Sequence, residues 1–333
     1  MSPEEANKVV AAFGMTHTPG LGNLMHLPPP DQIERLLAVF EVMKEQLEDA
    51  KPDLVIAFVN DHFDMYTTQG MPGFAIAVDG THHGPTPETE EWIGIKRGPI
   101  PGNADVAQDI YASLMEDGFE LFKSESAEFV HNVLLPKKFI WPDRDIPVVP
   151  IFTNCFVLPL PTFRRAYELG RAVRRVVDRR PERVAIIATG GLAHWPPIVF
   201  DEDDPNDPFV ERIAQFNRLG RKVWEVDPTL AKDINQRELE MAQSDLNLFN
   251  VEWDQEILDK LANADVDALT RLDHPSIRKA AGPGASEMLM WVSLLGAMNA
   301  AKSEILFYEV FPPWMGSVGM TSYANAIASQ QLG

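Results

Sequence analysis

The sequence predicts an α/β fold with a central mixed β-sheet flanked by helices. Two features predict it: short runs of β-branched and apolar residues of strand length, and longer segments whose apolar residues recur at helical spacing. Residues 9–13, 54–60 and 184–189 are apolar without alternation, as in strands that are buried on both faces. Helical segments lie between these runs along the chain. We therefore expect one catalytic domain over residues 1–333.

The remaining elements follow in order along the chain. We predict helices over 31–43, 104–115, 129–141, 162–178 and 288–298, and strands over 74–78, 119–122, 146–154 and 305–311, the last of which closes the chain. The prolines of 146–154 place that strand near an edge or make its ends irregular. Residues 79–102 carry five glycines and four prolines, which predicts a long loop. Residues 201–207 read as an acidic surface loop, and 208–280 as a mainly helical insertion or an oligomer surface.

Composition restricts the classes of partner. The 333-residue chain is 45% hydrophobic and 23% charged, which is typical of a soluble globular protein. A net charge of −20 disfavours nucleic acid and anionic membranes as partners. The apolar runs are too short to span a membrane, and the acidic N-terminus does not resemble a secretory signal. With Cys155 as the single cysteine, no intrachain disulfide forms, and we predict a cytoplasmic protein.

Three histidines follow three predicted strands. His17, His62 and His194 each come shortly after an apolar run, and the Gly190-Gly191 turn before His194 allows a close approach of the backbone. Ligands of open α/β sheets bind beyond the carboxyl ends of the strands. We therefore expect the three imidazoles to meet at one site, although a single histidine after a strand is more often a structural residue.

Glu287 is the candidate carboxylate partner of these histidines. It lies in the first turn after Gly282-Pro-Gly284, where it could also serve only to complement the helix dipole. Two histidines and one carboxylate leave adjacent positions of an octahedral metal open, as in non-haem Fe(II) oxygenases. The same ligands can bind Zn²⁺ and activate water. Spacing does not decide between the two metals.

The other histidines and the cysteine have simpler interpretations. His82 and His83 lie in a polar segment and are predicted to be solvated. His26 and His274 lie close to prolines and are predicted to be structural. Cys155 reads as a small buried side chain.

Four short motifs in order resemble the class III extradiol ring-cleavage dioxygenases of the protocatechuate 4,5-dioxygenase catalytic-subunit type. The motifs are Met15-Thr-His17-Thr-Pro, Asn60-Asp-His62, Gly190-Gly-Leu-Ala-His194 and Gly284-Ala-Ser-Glu287. The resemblance implies Fe(II) held by His17, His62 and Glu287, with His194 as acid–base residue and His131 as a second active-site histidine. The sequence departs from the family at Val130-His131-Asn132, where relatives carry Asp-His-Gly, so His131 could position substrate instead of transferring protons.

The resemblance also implies a reaction: extradiol cleavage of a catechol with O₂ in aromatic catabolism. The order of the motifs is similar to that of family members that cleave dihydroxyphenylpropionate, so a carboxylated catechol, such as that acid or a lignin-derived biphenyl catechol, is the expected substrate. Lys96 and Arg97 are candidate partners of the carboxylate, against the alternative of a solvated basic pair. Trp195, Phe63 and Trp314 are candidates for an aromatic slot, against the alternative of core packing.

Two other functions compete with this interpretation. The same site could serve a Zn²⁺-dependent hydrolase, or the fold could persist in a binding protein without activity. The resemblance further implies a homo-oligomer.

Overall fold

An eight-stranded mixed sheet forms the centre of the computed structural model, which describes residues 8–196, 204–244 and 248–331. Its strand order is β6-β3-β7-β2-β8-β1-β10-β9, and β4 and β5 form a separate two-stranded sheet. The strands are β1 (Val9–Met15), β2 (Leu54–Val59), β3 (Phe74–Ala77), β4 (Thr81–Gly84), β5 (Gly98–Pro101), β6 (Phe122–Ser124), β7 (Val148–Thr153), β8 (Val184–Thr189), β9 (Glu304–Phe311) and β10 (Gly316–Ser322).

Four parallel strands at the middle of the sheet position the site. Strands β7, β2, β8 and β1 are neighbours in this order and run in the same direction. The antiparallel strands β3 and β10 flank them. The chain segments that leave β1, β2, β7 and β8 therefore emerge at one edge of the sheet, as the predicted fold class requires.

Helices cover both faces of the sheet. They are α1 (Pro30–Ala50), α2 (Glu90–Ile93), α3 (Ala104–Glu116), α4 (His131–Ile140), α5 (Phe163–Asp178), α6 (Pro208–Leu219), α7 (Val223–Val226), α8 (Leu230–Ala242), α9 (Val251–Ala262), α10 (Val266–Thr270), α11 (His274–Ala281), α12 (Met288–Ala297) and α13 (Ala324–Gln331). Alternate side chains of β2 enter two different cores: Ile56 and Phe58 pack with α5 and α12, and Val55 and Ala57 pack with α1 and α4. This division explains why the central strands are apolar without alternation.

Helix α12 is apolar around its whole circumference because every residue from Met288 to Ala297 is buried. It packs closely against α5: a Cβ at Gly170 would lie 1.8 Å from the Ser293 carbonyl oxygen, and one at Gly296 would lie 2.1 Å from that of Tyr167. Glycine at both positions therefore permits the contact. A helix held this firmly is a rigid support for Glu287, which directly precedes it.

The order of elements predicted from the sequence is confirmed, with four corrections. The segment 79–102 is not a long loop, because β4, β5 and α2 lie within it. The prolines of β5 are tolerated because both strands of a two-stranded sheet are edge strands. The strand predicted over 119–122 is shifted to Phe122–Ser124. Phe119 and Leu121 lie in the loop before this strand, and their apolar side chains pack in the core.

The other two corrections concern the sheet. Strand β7 is an interior strand, not an edge. The pairing of β7 with β3 covers only Ile151–Thr153. Pro150 lies outside this pairing, so its lack of an N–H costs no hydrogen bond to β3. The strand at 304–311 does not close the chain, since β10 and α13 follow it. The sequence did not predict β10, because this buried strand consists largely of glycines and small residues instead of a long apolar run.

The predicted helical region is confirmed as α6 to α11. The predicted acidic loop 201–207 lies partly outside the described residues, which resume at Asp204. Within the described residues, every helix is too short or too polar to cross a membrane.

Candidate metal centre and substrate cavity

The side chains of His17, His62 and Glu287 converge at the carboxyl edge of the parallel strands. His17 follows β1, His62 follows β2, and Glu287 ends the short 3₁₀ turn before α12. His17 Nε2 lies 3.4 Å from Glu287 Oε2, and His62 Nε2 lies 3.6 Å from Glu287 Oε1. His17 and Glu287 are almost completely buried, at 3% and 2% exposure. Residues separated by up to 270 positions therefore share one small volume.

The imidazole nitrogens at this point have the properties of metal ligands. One ring nitrogen from each of His17, His62 and His131 lies within 4.8 Å of the other two, a spacing that one metal ion can bridge. Among the described residues, His17 Nε2, His62 Nδ1 and His131 Nδ1 are buried without a hydrogen-bond partner. Buried polar atoms nearly always have partners. The unpaired nitrogens therefore fit a site that binds a cation.

Glu287 is held as an anion beside these rings. Its Oε1 accepts a hydrogen bond from Asn60 Nδ2 at 2.9 Å, and its Oε2 accepts one from the Gly191 amide. Burial alone would raise the pKa of Glu287, but the neighbouring His17 and His62 outweigh burial and hold it well below its usual range. A buried carboxylate with imidazole neighbours supplies the negative charge that a bound cation needs.

The hydrogen bonds of His17 set its tautomer. Its Nδ1 lies 2.9 Å from Thr189 Oγ1, and this hydroxyl donates its own proton to the Asn132 carbonyl oxygen at 2.8 Å. The hydroxyl can then only accept from His17, so Nδ1 carries the hydrogen and the Nε2 lone pair faces Glu287. Burial also lowers the pKa of His17, which favours the neutral ring that binds metals.

His131 begins α4 beside the other two rings. Its ring centroid lies 5.1 Å from that of His17 and 4.1 Å from that of His62. Burial, together with His62 and His17, lowers its pKa well below the usual value, so the ring is neutral. Asn132, where the sequence departs from the family, donates from Nδ2 to the Asn60 carbonyl oxygen at 2.7 Å. Asn132 thus ties the start of α4 to the loop that carries His62.

His194 approaches the same carboxylate from the opposite loop. Its Nε2 lies 3.9 Å from Glu287 Oε1, and its Nδ1 donates to the Leu192 carbonyl oxygen at 2.8 Å. In the neutral ring Nε2 therefore has a free lone pair. The ring fits between Gly191 and Gly284, because a Cβ at either position would lie within 2.3 Å of it. The two predicted glycine turns thus form a slot for one imidazole.

Asp254 of α9 fastens the loop that carries His194. Its Oδ1 accepts from the Ala193 amide at 2.7 Å, and its Oδ2 accepts from Tyr308 and Ser317 at 3.0 and 2.5 Å. Asp254 is completely buried. Three donors compensate the carboxylate for the loss of water. The position of His194 consequently depends on a contact with a helix distant in sequence.

A cavity opens above the five side chains. Its lining includes His17, His62, His131, His194 and Glu287, and it is otherwise mostly apolar. Aromatic side chains supply much of the wall: Phe63, Trp92, Phe156, Trp195, Phe216 and Trp224. Helices α6, α7 and α8 contribute to it through Phe216, Trp224 and Ala231. The region interpreted as an insertion or oligomer surface is therefore part of the cavity wall.

The structure brings all five predicted site residues together, and it separates others from them. Trp195 and Phe63 line the cavity, but Trp314 does not: it stacks on Phe311 and donates to the Leu24 carbonyl oxygen. Lys96 and Arg97 are also outside the lining, because they pair with Glu90 and Glu128.

The remaining single-residue predictions have mixed outcomes. His82 is not solvated; it is buried against Phe129 and accepts at Nδ1 from the Ala127 amide. His274 is structural as predicted, since it stacks on Phe163 and bonds the Pro161 carbonyl oxygen. Cys155 is buried, as expected.

Sequence reasoning missed the supporting residues. Thr189 and Asn60 lie directly at the ends of apolar strands. A polar side chain at such a position could have indicated a contact with the site. Asp254 and the aromatic residues of α6 and α7 had no such signal, because ordinary amphipathic helices carry the same residue types.

Comparison with known proteins agrees with the family resemblance of the sequence motifs. Residues 11–319 match the model of a family described as the catalytic LigB subunit of aromatic ring-opening dioxygenase. The chain is similar to proteins named 2,3-dihydroxyphenylpropionate/2,3-dihydroxicinnamic acid 1,2-dioxygenase. It is 29% identical to the one from Photorhabdus laumondii over 92% of this chain and 95% of the relative. The corresponding values are 29%, 92% and 94% for Burkholderia vietnamiensis, and 25%, 92% and 96% for Escherichia coli K12.

The Thr189 hydroxyl should control metal affinity. Replacing Thr189 by Val removes the acceptor that orients His17, so we expect the affinity for Fe²⁺ to fall by about 10–100-fold. Anaerobic titration against a chelator measures this affinity. Thr153→Val is the matched control, because the Thr153 hydroxyl is buried without a hydrogen-bond partner. Equal Fe²⁺ affinities of the two variants would contradict the role of Thr189.

The Asp254 carboxylate should hold the His194 loop. Asp254→Ala leaves the buried Ala193 amide without an acceptor, so we expect the free energy of unfolding to fall by about 1–3 kcal/mol. Amide hydrogen exchange over residues 190–194 should become faster. Asp259→Ala, an exposed position on the same helix, is the control. Unchanged exchange in Asp254→Ala would show that the loop is held by other contacts.

Proposed function

The chain belongs to the family of catalytic LigB subunits of aromatic ring-opening dioxygenases, and from this premise we propose that it uses Fe(II) and O₂ to cleave the ring of a substituted catechol. Membership makes it an extradiol ring-cleaving oxidoreductase for catechol-type substrates. We propose the identity of the metal, the role of each residue and the substituent of the substrate.

One observation carries the proposal. The nitrogens of His17 and His62 and the carboxylate of Glu287 converge on one point, and a second pair of histidines lines the cavity above it. Three ligands of this kind leave room at the metal for two further molecules, which a ring-opening dioxygenase requires and a structural metal site does not. The apolar wall suits an aromatic ring.

We assign the metal ligands as His17, His62 and Glu287. His17 Nε2, which is buried without a hydrogen-bond partner, and the ionised Glu287 carboxylate fit a divalent cation. His62 brings Nε2 to the same carboxylate, where it also lies 3.1 Å from Asn60 Nδ2. When bound, Fe(II) supplies the redox chemistry that allows a catechol and O₂ to react. Thr189, Asn60 and the Gly191 amide orient the ligands, so that little reorganisation accompanies binding.

We assign proton transfer to His194. Its Nε2 lone pair faces the cavity while Nδ1 is committed to the Leu192 carbonyl oxygen. Such a ring can accept a proton from a catechol hydroxyl and later return it to the oxygen that leaves during ring opening. His131 is neutral and deeply buried, so we assign it to hydrogen bonding and positioning of the substrate.

The substituent of the catechol is less constrained. The relatives are named for catechols with a three-carbon acid side chain, which supports a substrate substituted next to the diol. The expected carboxylate partners, Lys96 and Arg97, do not line the cavity. We therefore retain a substituted catechol, of dihydroxyphenylpropionate or biphenyl type, without assigning a carboxylate partner. Assembly into a homo-oligomer stays a prediction.

Metal analysis and oxygen uptake test the proposed function. Protein purified and loaded with Fe²⁺ under anaerobic conditions should consume O₂ with catechols and form a yellow ring-opened product. Zn²⁺-loaded protein should consume none. His17→Ala and Glu287→Ala should lose bound iron, whereas His26→Ala, a change at an exposed ring, should keep it. Tight Zn²⁺ binding without O₂ consumption by the Fe²⁺ form would favour a hydrolase, and binding of neither metal a protein without activity.

His194→Phe should separate binding from chemistry. A phenyl ring fits the slot between Gly191 and Gly284 but transfers no proton, so we expect unchanged iron content and a 10²–10⁴-fold lower kcat, by the usual size of acid–base catalysis. Single-turnover measurements with a catechol, and metal analysis of the same sample, check both. Wild-type turnover in this variant would remove His194 from the proton path. His26→Phe is the control.

A further inference from the structure

A continuous line of aromatic side chains leads from the candidate metal centre to the far end of the cavity. The ring centroid of Phe156 lies 5.8 Å from that of His62, and the ring centroid of Phe63 lies 5.7 Å from that of Phe156. Phe216 follows at 6.3 Å from Phe63, and Trp224 at 5.4 Å from Phe216. Aromatic rings attract one another at such separations. Since all five side chains line the cavity, aromatic surface extends from a proposed metal ligand to helix α7.

The far part of this line belongs to the roof of the cavity, which is formed by helices α6 to α8. Phe216 lies on α6 and Trp224 on α7, and both belong to a small apolar cluster that also contains Ile213 and Leu230. This cluster is separate from the two cores that flank the sheet. Phe216 is only half-buried and lines the cavity, so packing within the roof leaves part of its surface available to a ligand.

Two backbone contacts hold the roof against the loop that carries Phe63. Phe63 has a φ of 63°, in the left-handed region that a bulky side chain rarely adopts. Gly220 of the roof lies so close that a Cβ there would be 2.7 Å from the Phe63 carbonyl oxygen. The Thr68 amide donates to the Asn217 carbonyl oxygen at 2.8 Å. Phe63 therefore presents its ring to the same space as Phe216, although its backbone conformation is unfavourable.

We infer that the ring substituent of the catechol substrate is itself an aromatic ring, which packs against Phe63, Phe216 and Trp224. The inference rests on the proposed function and deepens it, because it favours the biphenyl type of substrate over the dihydroxyphenylpropionate type. A catechol bound beside His62 has Phe156 next to it and the rest of the aromatic line beyond. A second ring joined to the catechol extends along this line and adds offset or edge-to-face contacts, whereas a three-carbon chain provides apolar contact without them.

Three catechols substituted next to the diol test the inference: the phenyl, the cyclohexyl and the 2-carboxyethyl compound. Phenyl and cyclohexyl groups have the same number of carbon atoms, and the cyclohexyl group is the more apolar, so burial of apolar surface alone does not favour phenyl. In anaerobic titrations of the wild-type Fe²⁺ protein we expect the phenyl compound to bind about threefold to tenfold more tightly than either of the others, the size of one aromatic pair. Equal or tighter binding of the cyclohexyl or the 2-carboxyethyl compound would overturn the inference.

Variants of the roof assign the effect to its aromatic residues. Phe216→Leu and Trp224→Leu keep an apolar side chain but remove the ring, so each should lower the phenyl-to-cyclohexyl affinity ratio by at least about twofold. Phe209→Leu should keep the wild-type ratio, because Phe209 lies on the same helix and packs in the same cluster but does not line the cavity. A purely structural role of Phe216 would weaken both ligands alike and leave the ratio unchanged. An unchanged ratio in both Phe216→Leu and Trp224→Leu would contradict recognition by the roof.

Oxygen uptake with unsubstituted catechol separates this inference from the proposed function. If the Fe²⁺ enzyme cleaves it but does not bind the phenyl compound more tightly than the cyclohexyl compound, only the inference fails. If no catechol is cleaved, the proposed function fails, and the anaerobic affinities still decide whether the cavity recognises a second aromatic ring.

Discussion

The architecture depends on one buried interaction, that of the Glu287 carboxylate with the imidazoles around it. A buried carboxylate is tolerated only when other polar groups replace the water that it loses. Asn60 and Gly191 donate to its two oxygens, and His17 and His62 lie within 3.6 Å of them. Asn60 and His62 share the loop after β2, His17 follows β1 and Gly191 follows β8, so the fold must bring three loops to Glu287. The proposed divalent cation would complete the same arrangement by neutralising the charge.

The parallel strands make this convergence possible. Strands β1, β2 and β8 are adjacent and run in one direction, so the residues that follow them leave the sheet at the same edge. Helix α12 adds Glu287 from above, and its burial on all sides fixes its position. Proximity of the proposed metal ligands is thus a consequence of the sheet topology, and the orientation of the side chains at the site is a consequence of Thr189, Asn60 and Asp254.

The chemistry and the specificity of the site arise from different parts of the chain. The proposed metal ligands His17 and His62 and the proposed acid–base residue His194 lie on loops anchored to the sheet, whereas helices α6 to α8 roof the cavity and supply Phe216, Trp224 and Glu238. A rigid centre with a separate roof lets a family keep one reaction while its substrates vary. Lys96 and Arg97, the carboxylate partners expected from the sequence, pair with Glu90 and Glu128 outside the cavity lining.

Local pattern predicted the fold class, most of the elements and four side chains of the candidate site, and the family resemblance added His131 as the fifth. Apolar strands followed by glycine turns and histidines are short-range signals, and the motif order identified the family before any contact was known. Only the tertiary structure decided that β7 is interior, that Lys96 and Arg97 are paired elsewhere, and that 208–242 faces the substrate cavity. The physical reason is that hydrogen-bond partners such as Asp254, and the identity of the side chains that face a cavity, depend on which distant segments pack together, and sequence periodicity carries no information on that.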